Sequence, residues 1–115
     1  MIIKTKKVIL TAVLLISTLM SFSQNLSPFK RENGKFGFKD STGNIVVEAK
    51  YDDAESFSEG LAAVSLNNKW GFINKEGKEV IPLKYDMVNW FENGKARVKI
   101  DGEKFYIKTK GERIE

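Results

Sequence analysis

The 115-residue sequence contains no cysteine, no histidine and only two prolines. Without cysteine there can be no disulfide, thiol nucleophile or thiolate metal site. Without histidine, Ser-His-Asp chemistry, haem ligation and most zinc sites are excluded as well. No residue pattern calls for a cofactor. The length bounds the chain at one small globular domain. What is present is 42% hydrophobic and 30% charged residues, 9 glycines, 13 aromatics and a formal net charge of +4. That charge points toward nucleic acid only until its distribution along the chain is read.

Lys4, Lys6 and Lys7 precede an uncharged, mostly apolar run from Val8 to Phe22. The run is shorter than the roughly 20 residues of a bilayer-spanning helix. Ser21-Phe22-Ser23 places small residues at −3 and −1 of a cut before Gln24. A basic start, a short apolar stretch and a small-x-small site read as a secretory signal peptide over residues 1–23, cleaved between Ser23 and Gln24. The expected location is therefore periplasmic or secreted, with membrane contact only through an uncleaved segment. The mature chain, residues 24–115, keeps 16 basic and 15 acidic residues, a net charge of +1. A nearly neutral exported protein has no electrostatic claim on nucleic acid.

The mature chain repeats. Residues 33–66 align without a gap on 67–100 at an offset of 34, with 13 identities that include Gly37/Gly71, Phe38/Phe72, Tyr51/Tyr85, Asp52/Asp86 and Phe57/Phe91. The offset continues weakly into the tail, where Tyr106 takes the place of Phe72 and Gly111 that of Gly77. Within the repeat the apolar period is two. In Gly94–Ile100, Ala96, Val98 and Ile100 alternate with Lys95, Arg97 and Lys99, the mark of a half-buried strand. The earlier copy, Leu61–Leu66, is apolar on both faces and belongs nearer the centre.

Asn67-Asn68 and Asp101-Gly102 are hairpin turns, being residue types that tolerate positive φ. A strand follows over Lys69–Asn74, then a turn at Lys75–Lys78 and a third strand over Glu79–Ile81, which Pro82 is expected to end. Gly71 between Trp70 and Phe72 leaves room for the close approach of a ring or strand. Leu83–Asn93 reads as a connector in which Asp86, like its copy Asp52, accepts backbone N–H groups. The predicted fold is all-β: tandem, short antiparallel three-stranded meander units with a period of 34 residues, at about 26–59, 60–93 and a truncated 94–115. The predicted inward set is Phe36, Phe38, Val46, Ala62, Val64, Trp70, Phe72, Val80, Ala96, Val98 and Tyr106. One meander cannot bury its apolar face alone, and stacking the next unit on it can.

The run Lys69-Trp70-Gly71-Phe72-Ile73-Asn74, continued by Gly77-Lys78-Glu79-Val80-Ile81-Pro82 and Lys84-Tyr85-Asp86 and followed by Phe91–Val98, resembles the WG-repeat family of bacterial β-repeat proteins. The first copy resembles it with Phe36-Gly37 in place of Trp-Gly. The resemblance implies an all-β repeat domain, often exported or surface-associated, with no agreed enzymatic activity and no catalytic residues to carry over.

The carboxylates agree with that implication. General acid–base work needs two convergent carboxylates, one with a raised pKa. Asp52 and Asp53 are adjacent on extended chain and point apart, while Asp52 and Asp86 occupy equivalent repeat positions, which a structural role explains. Asp40, Asp101 and Glu103 are scattered among turns without the spacing of a calcium loop. The candidate binding residues are Trp90, Tyr85, Phe91, Lys95, Arg97 and Lys99. Trp90 stands where the previous copy has Ser56, so the repeat does not require a ring there; it is read either as a locally packed ring or as an exposed platform for a sugar or peptide, aromatics being typical anchors at interfaces. Lys95, Arg97 and Lys99 form a basic stripe suited either to solvent or to an acidic partner. The expected function is a non-enzymatic exported module that binds a protein or cell-envelope polymer, or acts structurally. The alternatives are a small exported inhibitor or immunity-type factor and, less favoured, a carboxylate-dependent glycan hydrolase. Edge strands near residues 29–32 and 112–115 leave a homo-oligomer open.

Overall fold

A computed structural model of the chain describes residues 25–115. The signal segment at 1–23 and its cleavage site before Gln24 lie outside the described residues. The described strands form three antiparallel sheets. The first has the order β1-β2-β3, from β1 (Ser27–Lys30), β2 (Phe36–Lys39) and β3 (Ile45–Tyr51). The second has the order β4-β5-β6-β7, from β4 (Asp53–Ala54), β5 (Ala62–Leu66), β6 (Lys69–Ile73) and β7 (Glu79–Tyr85). The third has the order β11-β10-β9-β8, from β8 (Met87–Val88), β9 (Lys95–Ile100), β10 (Glu103–Lys108) and β11 (Arg113–Ile114).

The all-β expectation holds, and strands recur at the 34-residue spacing, but two details differ. The second and third sheets have four strands, because β4 and β8 pair with β5 and β9 where a plain connector was expected. Pro82 does not end its strand. It is exposed on β7, an edge strand, within a stretch where the register against β6 shifts, so no ladder bond waits for its missing N–H.

That shift explains the Trp-Gly dipeptide. Between the pairs Trp70↔Tyr85 and Phe72↔Ile81, Gly71 faces a bulged stretch of β7. A Cβ on Gly71 would lie 2.4 Å from the Ile81 carbonyl oxygen and 2.6 Å from that of Pro82. Gly37 stands in the same relation to β3, with its Cβ position 2.3 Å from the Val47 carbonyl oxygen. The expected close approach is therefore a strand lying over the glycine. Phe105 occupies the Gly71 position in the third sheet, where β11 pairs with β10 only at Tyr106↔Ile114 and Ile107↔Arg113 and no bulge crosses it.

Two apolar cores join the three sheets. Phe38, Val47 and Tyr51 of the first sheet meet Ala54, Ala62, Val64 and Ile73 of the second. Leu61, Ala63, Phe72, Ile81 and Tyr85 on the opposite side of the second sheet meet Phe91, Ala96, Val98 and Ile107 of the third. The second sheet is thus covered on both faces, which is why Leu61–Val64 is an unbroken apolar run. The bulge also re-phases the core. Val47 and Ile81 point inward, whereas Val46 and Val80, expected there by strict alternation, are half-buried. Phe36 and Trp70 are likewise half-buried and pack at the margins of the cores. Tyr106 is 41% exposed, and its neighbour Ile107 is buried instead.

Equivalent contacts tie each sheet to the next. Phe38 meets Phe57 edge-on at 4.9 Å, and one period later Phe72 meets Phe91 at 4.8 Å. The Ser58 hydroxyl donates to the Phe91 carbonyl at 2.7 Å. The Glu59 carboxylate accepts from the Asn93 and Gly94 N–H groups at 2.8 and 2.9 Å, holding the tight turn that opens β9.

Candidate binding surface

The Asp101-Gly102 turn, with φ of 50° and 82°, folds β10 back on β9. Directly opposite residues share a face of the sheet. The register sets Arg97 opposite Tyr106, Lys99 opposite Lys104 and Lys95 opposite Lys108. Since Ala96, Val98 and Ile107 face the second sheet, this set faces away from it. The face therefore carries five cations and one aromatic ring, with Met87 beside Lys99 on β8. No carboxylate occupies a strand position on it among the described residues.

Comparison with the second sheet shows how this face arises. At the offset of 34, Leu61 becomes Lys95, Ala63 becomes Arg97, Ser65 becomes Lys99, Trp70 becomes Lys104 and Phe72 becomes Tyr106. In the second sheet those positions receive the third. Here four of the five are charged, and Asn93 replaces Glu59, the carboxylate that grips the following turn. A further sheet docked on this face would bury unpaired cations, so the face is unsuited to continuing the stack.

Trp90 stands at the border of this face and is 63% exposed. Its indole N–H donates to Glu92 Oε2 at 3.3 Å, which holds the ring near the turn into β9. On one side Trp90, Lys95, Arg97 and Tyr106, with Asn89 and Asn93, line an open cleft of about 190 Å³. The Lys95 ammonium lies 4.7 Å from the centre of the Tyr106 ring. On the other side Trp90 walls a groove of about 350 Å³ between the second and third sheets, shared with Phe57, Leu61 and Val88.

Of the residues singled out from the sequence, the structure brings Trp90, Lys95, Arg97 and Lys99 to this surface. It does not bring Tyr85 or Phe91, which are 3% and 0% exposed and belong to the second core. The reason is the repeat itself: their copies, Tyr51 and Phe57, pack into the first core in the same way. Tyr106, Lys104 and Lys108 were missed, although pairing outward from the Asp101-Gly102 turn would have found them.

The aspartates have the structural role expected of them. Asp86 accepts from the Lys69 ammonium at 2.6 Å and from the Asp101 N–H at 3.1 Å. Asp52 accepts from Lys35 and from the Asn67 N–H. The lysine hydrogen bond first, then the backbone N–H, hold both carboxyls below the usual carboxylate range. The same pairing pushes Lys69 up. A general acid needs the opposite shift. Among the described residues no group of three or more His, Cys, Asp and Glu side chains could hold a metal ion.

The sequence profile of the WG containing repeat matches residues 36–70 and again 70–103, more than half of the chain. The chain belongs to the WG-repeat family. Both matches begin on the aromatic-glycine pair, Phe36-Gly37 and Trp70-Gly71, that the bulged strand covers. Neither a curated protein nor a solved structure matches the chain. As a WG-repeat protein it is built of β-repeat units, with Asp52 and Asp86 bound at equivalent turns.

Proposed function

We propose that this WG-repeat chain is an exported binding module that holds a protein or an envelope polymer on the outer face of its third sheet. One observation carries the reading. At the position where the repeat has Ser56, and where the fold needs no ring, Trp90 stands exposed beside an open cleft shared with Tyr106 and Arg97. Large exposed rings flanked by polar groups are characteristic of recognition surfaces, where a few such side chains supply most of the binding energy. The export half of the reading rests on the basic, apolar and small-residue pattern of residues 1–23.

Capture from an envelope extract, using the protein expressed from its full coding sequence, tests the binding half. The expected result is a partner retained at low salt by the wild type and lost by Trp90→Ala. Recovery of the same material by both proteins would refute the assignment of this surface. Cell fractionation with N-terminal sequencing tests the other half, with a chain starting at Gln24 in the periplasm or medium as the expected outcome.

A further inference from the structure

We infer that the occupant of this surface is an acidic polysaccharide, lying along the β9–β10 hairpin with its sugar rings on Tyr106 and Trp90. The inference rests on the binding-module reading and names its ligand class.

Three features favour that chemistry. First, the charge at the outward strand positions of β9 and β10 is of one sign and regularly spaced. Along β9 the cations fall on alternate residues, roughly 7 Å apart, and β10 repeats them across one strand spacing of about 4.8 Å. A polymer with closely repeated anionic groups can pair with several of these cations at once. Second, the rings are accessible and lie among the cations. Tyr106 is directly opposite Arg97 in the register, and both line the cleft with Trp90. An exposed ring offers an apolar face to the C–H face of a sugar while its polar edge stays in water. The adjacent guanidinium can take a carboxylate with two parallel hydrogen bonds. Third, the rim of the cleft mixes polar types. The Asn89 and Asn93 amides both donate and accept, and the Glu92 carboxylate accepts only. Hydroxyl groups between the acids of a glycan satisfy these. The cleft is smaller than the 300–1,000 Å³ typical of drug-sized ligands and open at its sides. That suits one sugar unit of a chain running onward over Lys99 and Lys104.

Affinity electrophoresis in native gels cast with polygalacturonate, or with neutral dextran, tests this on protein expressed from its full coding sequence. The expected result is retardation by polygalacturonate alone, weakening as salt is added. Arg97→Glu should abolish it, and Tyr106→Ala and Trp90→Ala should each weaken it at least about fivefold, as truncation of an interface anchor does. Lys39→Glu, an exposed cation of the first sheet, should leave it unchanged, and the melting temperature of each variant confirms folding. Retardation lost on Arg97→Glu but untouched by both ring truncations would overturn the inference, because charge alone would then account for it. Equal retardation by dextran, or equally tight binding of single-stranded DNA, would overturn the ligand class. If no polysaccharide retards the protein but envelope capture still depends on Trp90, the glycan assignment falls and the binding module stands. If both fail, the module reading falls with it.

Discussion

Replacing Gly71 by alanine should damage this fold more than an added methyl group ordinarily would. The new Cβ would meet the Ile81 and Pro82 carbonyl oxygens at 2.4 and 2.6 Å, where ordinary contact begins near 3.4 Å. These are backbone atoms of β7, so no side chain can rotate away, and β7 itself must shift by about 1 Å or lose its bulge. Overpacking costs about 1–3 kcal/mol when neighbours can adjust, and this site belongs at the top of that range. The alanine also restrains the unfolded chain, which offsets about 0.4–1 kcal/mol. The net loss is about 2–3 kcal/mol, which for a domain of this size lowers the melting temperature by about 8–24 °C. Circular dichroism melts of wild type, Gly71→Ala and Gly94→Ala measure it. Gly94 has φ +78 but nothing within 4 Å of its Cβ position, so it reports backbone strain alone, about 1–2 kcal/mol. A Gly71→Ala melting point no lower than that of Gly94→Ala would refute the steric account of the Trp-Gly pair.

Phe91→Ala should cost about 3–5 kcal/mol in chemical denaturation, since the ring is fully buried and packs edge-on against Phe72. Trp90→Ala, by contrast, should stay within about 0.5 kcal/mol of wild type, because the ring is mostly in solvent. Asp52 and Asp86 titrate below their unfolded value near 3.9, so the stability they contribute is full above that pH and is lost as pH falls through the depressed folded values. Asp86→Asn should therefore lower the melting temperature at neutral pH and flatten its decline in acid, and an unchanged acid profile would rule out the Lys69 pairing as its source. Sedimentation should show a monomer over a wide concentration range, since β1 carries Pro28 on its edge, β11 is two residues long and the third sheet ends in cations.

The turns and the repeated side-chain roles were legible in the sequence. Asn67-Asn68 and Asp101-Gly102 adopt positive φ as their residue types require, and Asp52 and Asp86 accept the N–H groups of those turns. The central place of Leu61–Val64 could also be read, because only a strand covered on both sides is apolar on both sides. Inward and outward positions beyond the bulge could not. Alternation carries a phase along a strand, and extra residues over Gly37 and Gly71 reset it, moving Val47 and Ile81 into the cores.

The candidate binding surface divides in the same way. Composition alone showed a basic stripe on one strand and a tryptophan that the repeat does not need. Whether a ring such as Tyr106, Tyr85 or Phe91 meets solvent or core depends on which sheet lies next to it, and that is a property of the stack. Local sequence determined the main strands, the turns and the period, because these follow from the backbone preferences and polarity of neighbouring residues, but not β4, β8 or the run of β7 past Pro82. The tertiary structure decided which face was left open, because burial there is set by residues one repeat away.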